Sequence, residues 1–191
     1  MQLNIQKELK KKLTVDFNLI IQKHAEIVEE NVSDINQNWS SQPNKWSVAE
    51  CLIHLNLSGQ AWLPYIKQSI LDLSKKEHEI SGFKNGFFVK KFISFLSPPA
   101  KIKLGASKRF KPNNVNQLKN INTDFILQQK EFLQLIEDCE SLCLQKGRVQ
   151  LAIAPYVKVS LGDAFQIVLA HELRHLWQIE NIISHKDFPQ L

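Results

Sequence analysis

Trp46-Ser47-Val48-Ala49-Glu50-Cys51-Leu52-Ile53-His54 is the stretch whose reading decides the fold. Ser47 is a good N-cap, and Glu50 stands three residues later. That is the spacing of a capping box, in which each side chain bonds the other residue's backbone N–H. Trp46, before the cap, is placed to pack on Cys51 as a hydrophobic staple. The stripe continues through His54, Leu55, Ser58 and Trp62 towards Ile66 and Ile70, in steps of three and four. Such a period makes a helix with one inward face.

Three more segments outward from this one carry the same period. Leu9, Leu13, Phe17, Ile20, His24, Ile27 and Ile35 form the stripe of a first helix. Asn36 to Lys45, with Pro43, reads as a loop. A third long helix is expected from about Asn114, with Val115, Leu118, Ile121, Phe125, Phe132, Leu135, Cys139 and Leu142 inward and Gly147 as its C-terminal cap. Arg148 to Val159, with Pro155, reads as a partly extended connector. The last helix opens at Ser160, with Asp163 three residues on, and runs through Ala164, Val168, His171, His175 and Gln178. Phe87, Phe88, Phe92, Phe95 and Leu96 suggest a short extra helix between helices two and three, ending before Pro98-Pro99. The expectation is an all-α chain, one domain over residues 1–191. Its architecture would be a four-helix bundle with a long crossover connection between helices two and three.

The charge of +5 is unevenly placed. Ser81 to Pro112 holds eight basic residues and no acidic one, leaving 16 basic against 19 acidic elsewhere. The basic character therefore belongs to an insert at about 81–112 and argues poorly for nucleic acid binding. No apolar run approaches the roughly 18 residues of a spanning helix. Met1 to Leu13 shows no secretory pattern. Cys51, Cys139 and Cys143 are odd in number and lack framework spacing, which fits a reduced, cytoplasmic setting.

His171 and His175 are four apart on an apolar helix, so their side chains share a face about 5–6 Å apart at Cβ. Two inward imidazoles without a partner are desolvated, and an ion of zinc, nickel or iron type resolves that cost. Hydrogen-bonded core histidines are the plain alternative for such a pair. His54, inward on helix two, supplies a third ligand. His24 is inward too and is read as a core or pocket-wall residue ahead of a fourth ligand. His78 and His185 stand in polar surroundings and read as solvated.

Taken together, these stretches resemble the DinB-like superfamily, four-helix bundles named after a DNA-damage-inducible protein. The resemblance rests on the tryptophan-led start and histidine of residues 46–54. It rests equally on the paired histidines of His171-Glu172-Leu173-Arg174-His175-Leu176-Trp177-Gln178-Ile179. Ser97-Pro98-Pro99-Ala100-Lys101-Ile102-Lys103 and Phe110-Lys111-Pro112 look like the linker of one branch. The resemblance covers nearly the whole chain. It implies His54, His171 and His175 as a metal triad, with zinc or nickel most expected and iron next. It also implies metal-activated transfer of a small thiol such as mycothiol or bacillithiol to a small-molecule acceptor.

Three neutral imidazoles leave an ion its charge and an open position. Lys101, Lys103, Lys108 and Arg109 could steer the carboxylates of such a thiol, although a solvated loop over an open bundle end is the simpler use of the insert. The helix from Phe87 to Leu96 reads as a core or lid helix, ahead of a membrane-surface segment or a homodimer contact. Gln178 shares the metal face and is a candidate to support a ligand, as are Glu50, one turn before His54, and Arg174, which could contact an anionic substrate. His171-Glu172-Leu173-Arg174-His175 also matches the zinc-protease pattern H-E-x-x-H, with Glu172 as general base. No downstream third ligand follows, and Glu172 lies about 100° from His171 around the helix, where solvation is its expected fate. A metal-dependent hydrolase using Glu172 and a non-catalytic metal- or ligand-holding bundle are the two alternatives to thiol transfer.

Overall fold

The computed structural model describes residues 2–77, 79, 82–99, 105–112 and 120–190. Its α-helices are α1 (Gln2–His24), α2 (Val48–Ser74), α3 (Phe87–Leu96), α4 (Ile121–Asp138) and α5 (Leu161–Ile183). Two strands, β1 (Arg148–Leu151) and β2 (Ala154–Ser160), form an antiparallel hairpin before α5. α1 packs on α4 and α5, and α2 also packs on α4 and α5, while α3 lies along α5.

The core follows the predicted stripes. Leu13, Phe17 and Ile20 of α1 meet Phe125 and Phe132 of α4, with the Phe17 and Phe132 rings stacked 5.4 Å apart. Leu52, Leu55 and Ile66 of α2 and Ala164, Phe165 and Val168 of α5 are equally buried. Truncating one such phenylalanine typically costs about 3–5 kcal/mol. Gly59 lets α2 approach α4: a Cβ there would come within 1.9 Å of the Gln128 amide oxygen. Gln128 instead donates to the Asn56 carbonyl at 3.1 Å.

Both predicted helix starts form. Ser47 Oγ accepts from Glu50 N–H while Glu50 accepts from Ser47 N–H. At α5, Ser160 Oγ accepts from Asp163 N–H and donates to the Asp163 carboxylate.

Four expectations are corrected. The chain is mostly helical and not all-α, because Val149, Val157 and Val159 lie in a paired hairpin where a partly extended connector was expected. Ile35 is 91% exposed: α1 gives way to a π-turn at Ala25–Glu29, so Ile35 lies beyond the helical stripe. The third long helix ends at Asp138, and Cys139, not Gly147, caps it. Gly147 is a close-packing position, where a Cβ would meet Leu161 at 2.7 Å. The expected start of that helix at Asn114, with Val115 and Leu118, falls outside the described residues, as does His78. α3 forms as expected, with Phe92, Ile93 and Leu96 against the core but Phe87 and Phe88 exposed. No described helix is long and apolar enough to cross a membrane.

Candidate metal centre

α2 contributes His54 and α5 contributes His171 and His175. One ring nitrogen from each lies within 4.8 Å of the others. His54 Nε2 and His171 Nε2 stand 3.1 Å apart. Two nitrogens held about 2.1 Å from one tetrahedral ion would stand about 3.4 Å apart, so the spacing fits a shared ion.

The outer nitrogens are engaged elsewhere. His54 Nδ1 is 2.8 Å from the Phe110 carbonyl, and only an N–H can make that contact. His175 Nδ1 is 3.1 Å from Gln178 Oε1, so it too is the donor when Gln178 presents its oxygen. Each neutral ring then keeps its lone pair on Nε2, the tautomer that a metal ligand needs. Trp46 lies over both rings, 4.9 Å from His54 and 5.8 Å from His175.

Electrostatics keep the three rings neutral. Burial, then the neighbouring His54 and Arg174, push His171 down to about 3. Burial chiefly lowers His175, helped by His171, His54 and Arg174 and opposed by Gln178. His54 is lowered by burial against the pull of the Phe110 carbonyl. Three neutral imidazoles whose ring nitrogens face one another are the donor set of a divalent transition ion.

The triad lines a cavity of about 800 Å3. Trp46, Trp62, Phe92, Phe95, Phe110 and Trp177 wall it, and Arg174 and Gln178 reach it from α5. The remaining predicted residues fall differently. Gln178 is in contact with His175. Glu50 is taken by its capping box, and the Phe110 carbonyl holds His54 in its place. Trp46 covers imidazoles in addition to any packing on the Cys51 side.

Glu172 does not line the cavity. It is 2% exposed, not solvated, and accepts from Gln129 of α4 at 3.2 Å. Burial raises its pKa to about 8 despite that hydrogen bond. His24 is a core residue, stacked on Phe125 and bonded to Asn122. His185 is half-exposed against Trp39 at the cavity, not simply solvated. Lys108 and Arg109 are exposed and off the cavity lining, and Lys101 and Lys103 lie outside the described residues. All three cysteines are buried away from the cavity, with Cys51 raised by burial and Cys139 pushed up to about 12.

Phe110 escaped the sequence reading because a backbone carbonyl has no side-chain signature. Its only trace was the Phe110-Lys111-Pro112 stretch. The sequence pattern that defines the DinB superfamily matches residues 26–179. The chain belongs to that superfamily. No curated protein and no solved structure matches it significantly. The matched span contains all three histidines, Trp46, Phe110 and Gln178.

Proposed function

We propose that this DinB-superfamily chain is a cytoplasmic, metal-dependent enzyme that joins a small thiol to an acceptor held in the cavity. In this reading α1, α2, α4 and α5 form a four-helix bundle with a long crossover carrying α3, and His54, His171 and His175 hold zinc or nickel. The observation that carries it is the convergence of three neutral imidazoles, one ring nitrogen from each, on one wall of a large cavity.

An ion there supplies Lewis acidity, which acidifies a thiol or a water that reaches it. The Phe110 carbonyl and Gln178 fix the ring orientations before any ligand arrives. Trp46 shields two of the rings from water. No described residue lining the cavity is a cysteine, so a reacting thiol has to come from a cosubstrate. No described residue lining it is an aspartate or glutamate either, so the carboxylate base of the zinc-protease pattern is not found there. Glu172, the base of the hydrolase alternative, faces Gln129 instead.

The test is cobalt substitution followed by titration with a small thiol. A saturable sulfur-to-cobalt charge-transfer band, absent in His171→Ala, is the expected result. A normal cobalt spectrum unmoved by any thiol would leave a metal-holding bundle without this chemistry. Failure to take up cobalt or zinc would remove the metal reading altogether.

A further inference from the structure

α3 divides its phenylalanines between two surroundings. Val89, Phe92, Ile93 and Leu96 recur at steps of three and four and pack on the core. Phe87 and Phe88, in the first turn, are 67% and 83% exposed, with their rings edge to face 5.6 Å apart. Every other phenylalanine of the chain is buried or half-buried. An exposed pair of large apolar rings marks a surface that meets something.

The chain entering α3 is anchored. Lys84 N–H donates to the Gln145 side chain at 2.7 Å, and Asn85 donates to Asp163 at 2.7 Å. Phe83 fills the space beside Gly162, where a Cβ would come within 2.4 Å of its ring. The two exposed rings therefore sit on a turn tied to the start of α5. Positive charge gathers at the same place. Lys84, Lys90 and Lys91 are exposed, and Lys91 Nζ stands 4.6 Å from the centre of the Phe87 ring. The sequence from Ser81 to Pro112 contains no acidic residue. Asp163, which Asn85 contacts, is buried and also bonded to Ser160.

Aromatic rings flanked by lysines suit a lipid interface, where rings enter the acyl boundary and ammonium groups stay among anionic headgroups. A soluble polyanion would satisfy the lysines but leave both rings in water. A second copy joined about a two-fold axis would set the same lysines against one another. We infer that the chain docks on an anionic lipid bilayer through the first turn of α3. Phe87 and Phe88 enter the interface, and Lys84, Lys90 and Lys91 meet the lipid phosphates. The same helix walls the cavity with Phe92 and Phe95, so it links the docking turn to the candidate metal centre. The docking needs neither metal nor thiol and goes beyond the enzymatic reading.

Cosedimentation of the full, metal-free chain with unilamellar vesicles tests it. Vesicles of phosphatidylcholine alone are compared with vesicles in which a quarter of the lipid is phosphatidylglycerol. A lysine at an anionic surface contributes about fivefold, so three make the mixed vesicles bind on the order of a hundredfold more tightly. Lys90→Gln with Lys91→Gln should remove about twentyfold of that preference. Phe87→Ser with Phe88→Ser should abolish cosedimentation, and circular dichroism checks that these surface variants fold. If the serine pair does not fold, the lysine pair and the wild-type lipid comparison decide. Equal binding to both vesicles, or binding to neither, overturns the inference. A folded serine pair that still binds the mixed vesicles overturns it too. So does a wild-type dimer in sedimentation velocity that the serine pair abolishes, because the rings would then be covered by a second copy.

Discussion

α5 buries ionisable groups on two faces, and the faces deal with burial in opposite ways. One face turns His171 and His175 to the cavity. The other turns Glu172 towards Gln129 of α4. The imidazoles are kept neutral at modest cost, and their ring nitrogens converge with that of His54. The carboxyl group cannot stay charged in the same helix without penalty, so it keeps its proton up to about pH 8. Its Oε2 has no hydrogen-bond partner among the described residues. Neutral nitrogen donors that meet are prepared for a cation. A protonated acid inside a helix interface is a packing element. Adjacent positions in one H-E-x-x-H pattern thus carry unrelated jobs.

The sharpest break between the faces comes from removing a ligand. His171→Ala should lower affinity for zinc by more than the roughly 10–100-fold typical of losing a ligand's hydrogen-bond partner. Mass spectrometry after reconstitution should then find about one ion per wild-type chain and almost none in the variant. Equal metal content in both would dissolve the distinction between the faces.

Glu172→Gln tests the other side, in metal-free protein where no ion perturbs the carboxyl group. Its folded pKa, about 8, lies above the ordinary value of 4.5. Between those values the folded chain binds a proton that the unfolded chain releases, so stability falls as pH rises through the window. Glutamine pays no such penalty and keeps the Gln129 bond. The variant should therefore be more stable by up to roughly 3 kcal/mol at pH 7, with the gain shrinking towards pH 4.5. Urea unfolding at several pH values measures it. Unchanged zinc content and turnover would place Glu172 outside the chemistry, whereas abolished turnover with retained metal would revive the hydrolase alternative.

The two glutamines offer a matched pair. Gln178 orients His175 and Gln129 holds Glu172. Gln178→Ala should weaken zinc binding about tenfold or more, within the range for a supporting hydrogen bond. Gln129→Ala should cost stability without touching metal affinity. Competition with a chromophoric chelator reads the first and thermal unfolding the second. Equal effects on zinc would mean the two faces are one coupled unit.

What the sequence made legible follows a physical line. The starts of α2 and α5 are local signals, written by Ser47 with Glu50 and Ser160 with Asp163 within one turn. The triad was legible because i, i+4 spacing fixes His171 and His175 on one face and a helical stripe turns His54 inward. The Phe110 carbonyl was not legible, since any residue offers one and only the fold chooses. The hairpin was missed because its pairing depends on register across the Ala152-Ile153 turn, not on composition. Glu172 was misjudged for a related reason. A helical wheel gives its direction but not that Gln129 lies across from it.

His24 supplies the last and smallest contrast, because it is a buried histidine with no convergent partner. Its ring stacks on Phe125, bonds Asn122, and lies 3.6 Å from the Glu29 carboxylate. Burial lowers its pKa below 6.5, and the contacts with Asn122 and Glu29 only partly oppose this. Below the ordinary value the unfolded chain takes up a proton that the folded chain resists, so His24 subtracts stability as pH falls. The penalty grows by about 1.4 kcal/mol per pH unit until the folded pKa is reached. His24→Gln keeps a donor for Asn122 but loses the stack, so it should be less stable than wild type at pH 7.5. By pH 5.5 it should recover part of that deficit. Metal-free unfolding curves at the two pH values test this, since the triad histidines contribute equally to both proteins and cancel. A deficit that stays constant with pH would mean His24 accepts its proton in the core. Burial alone would then no longer account for the neutrality of the triad, and the mutual repulsion of its three rings would have to carry it.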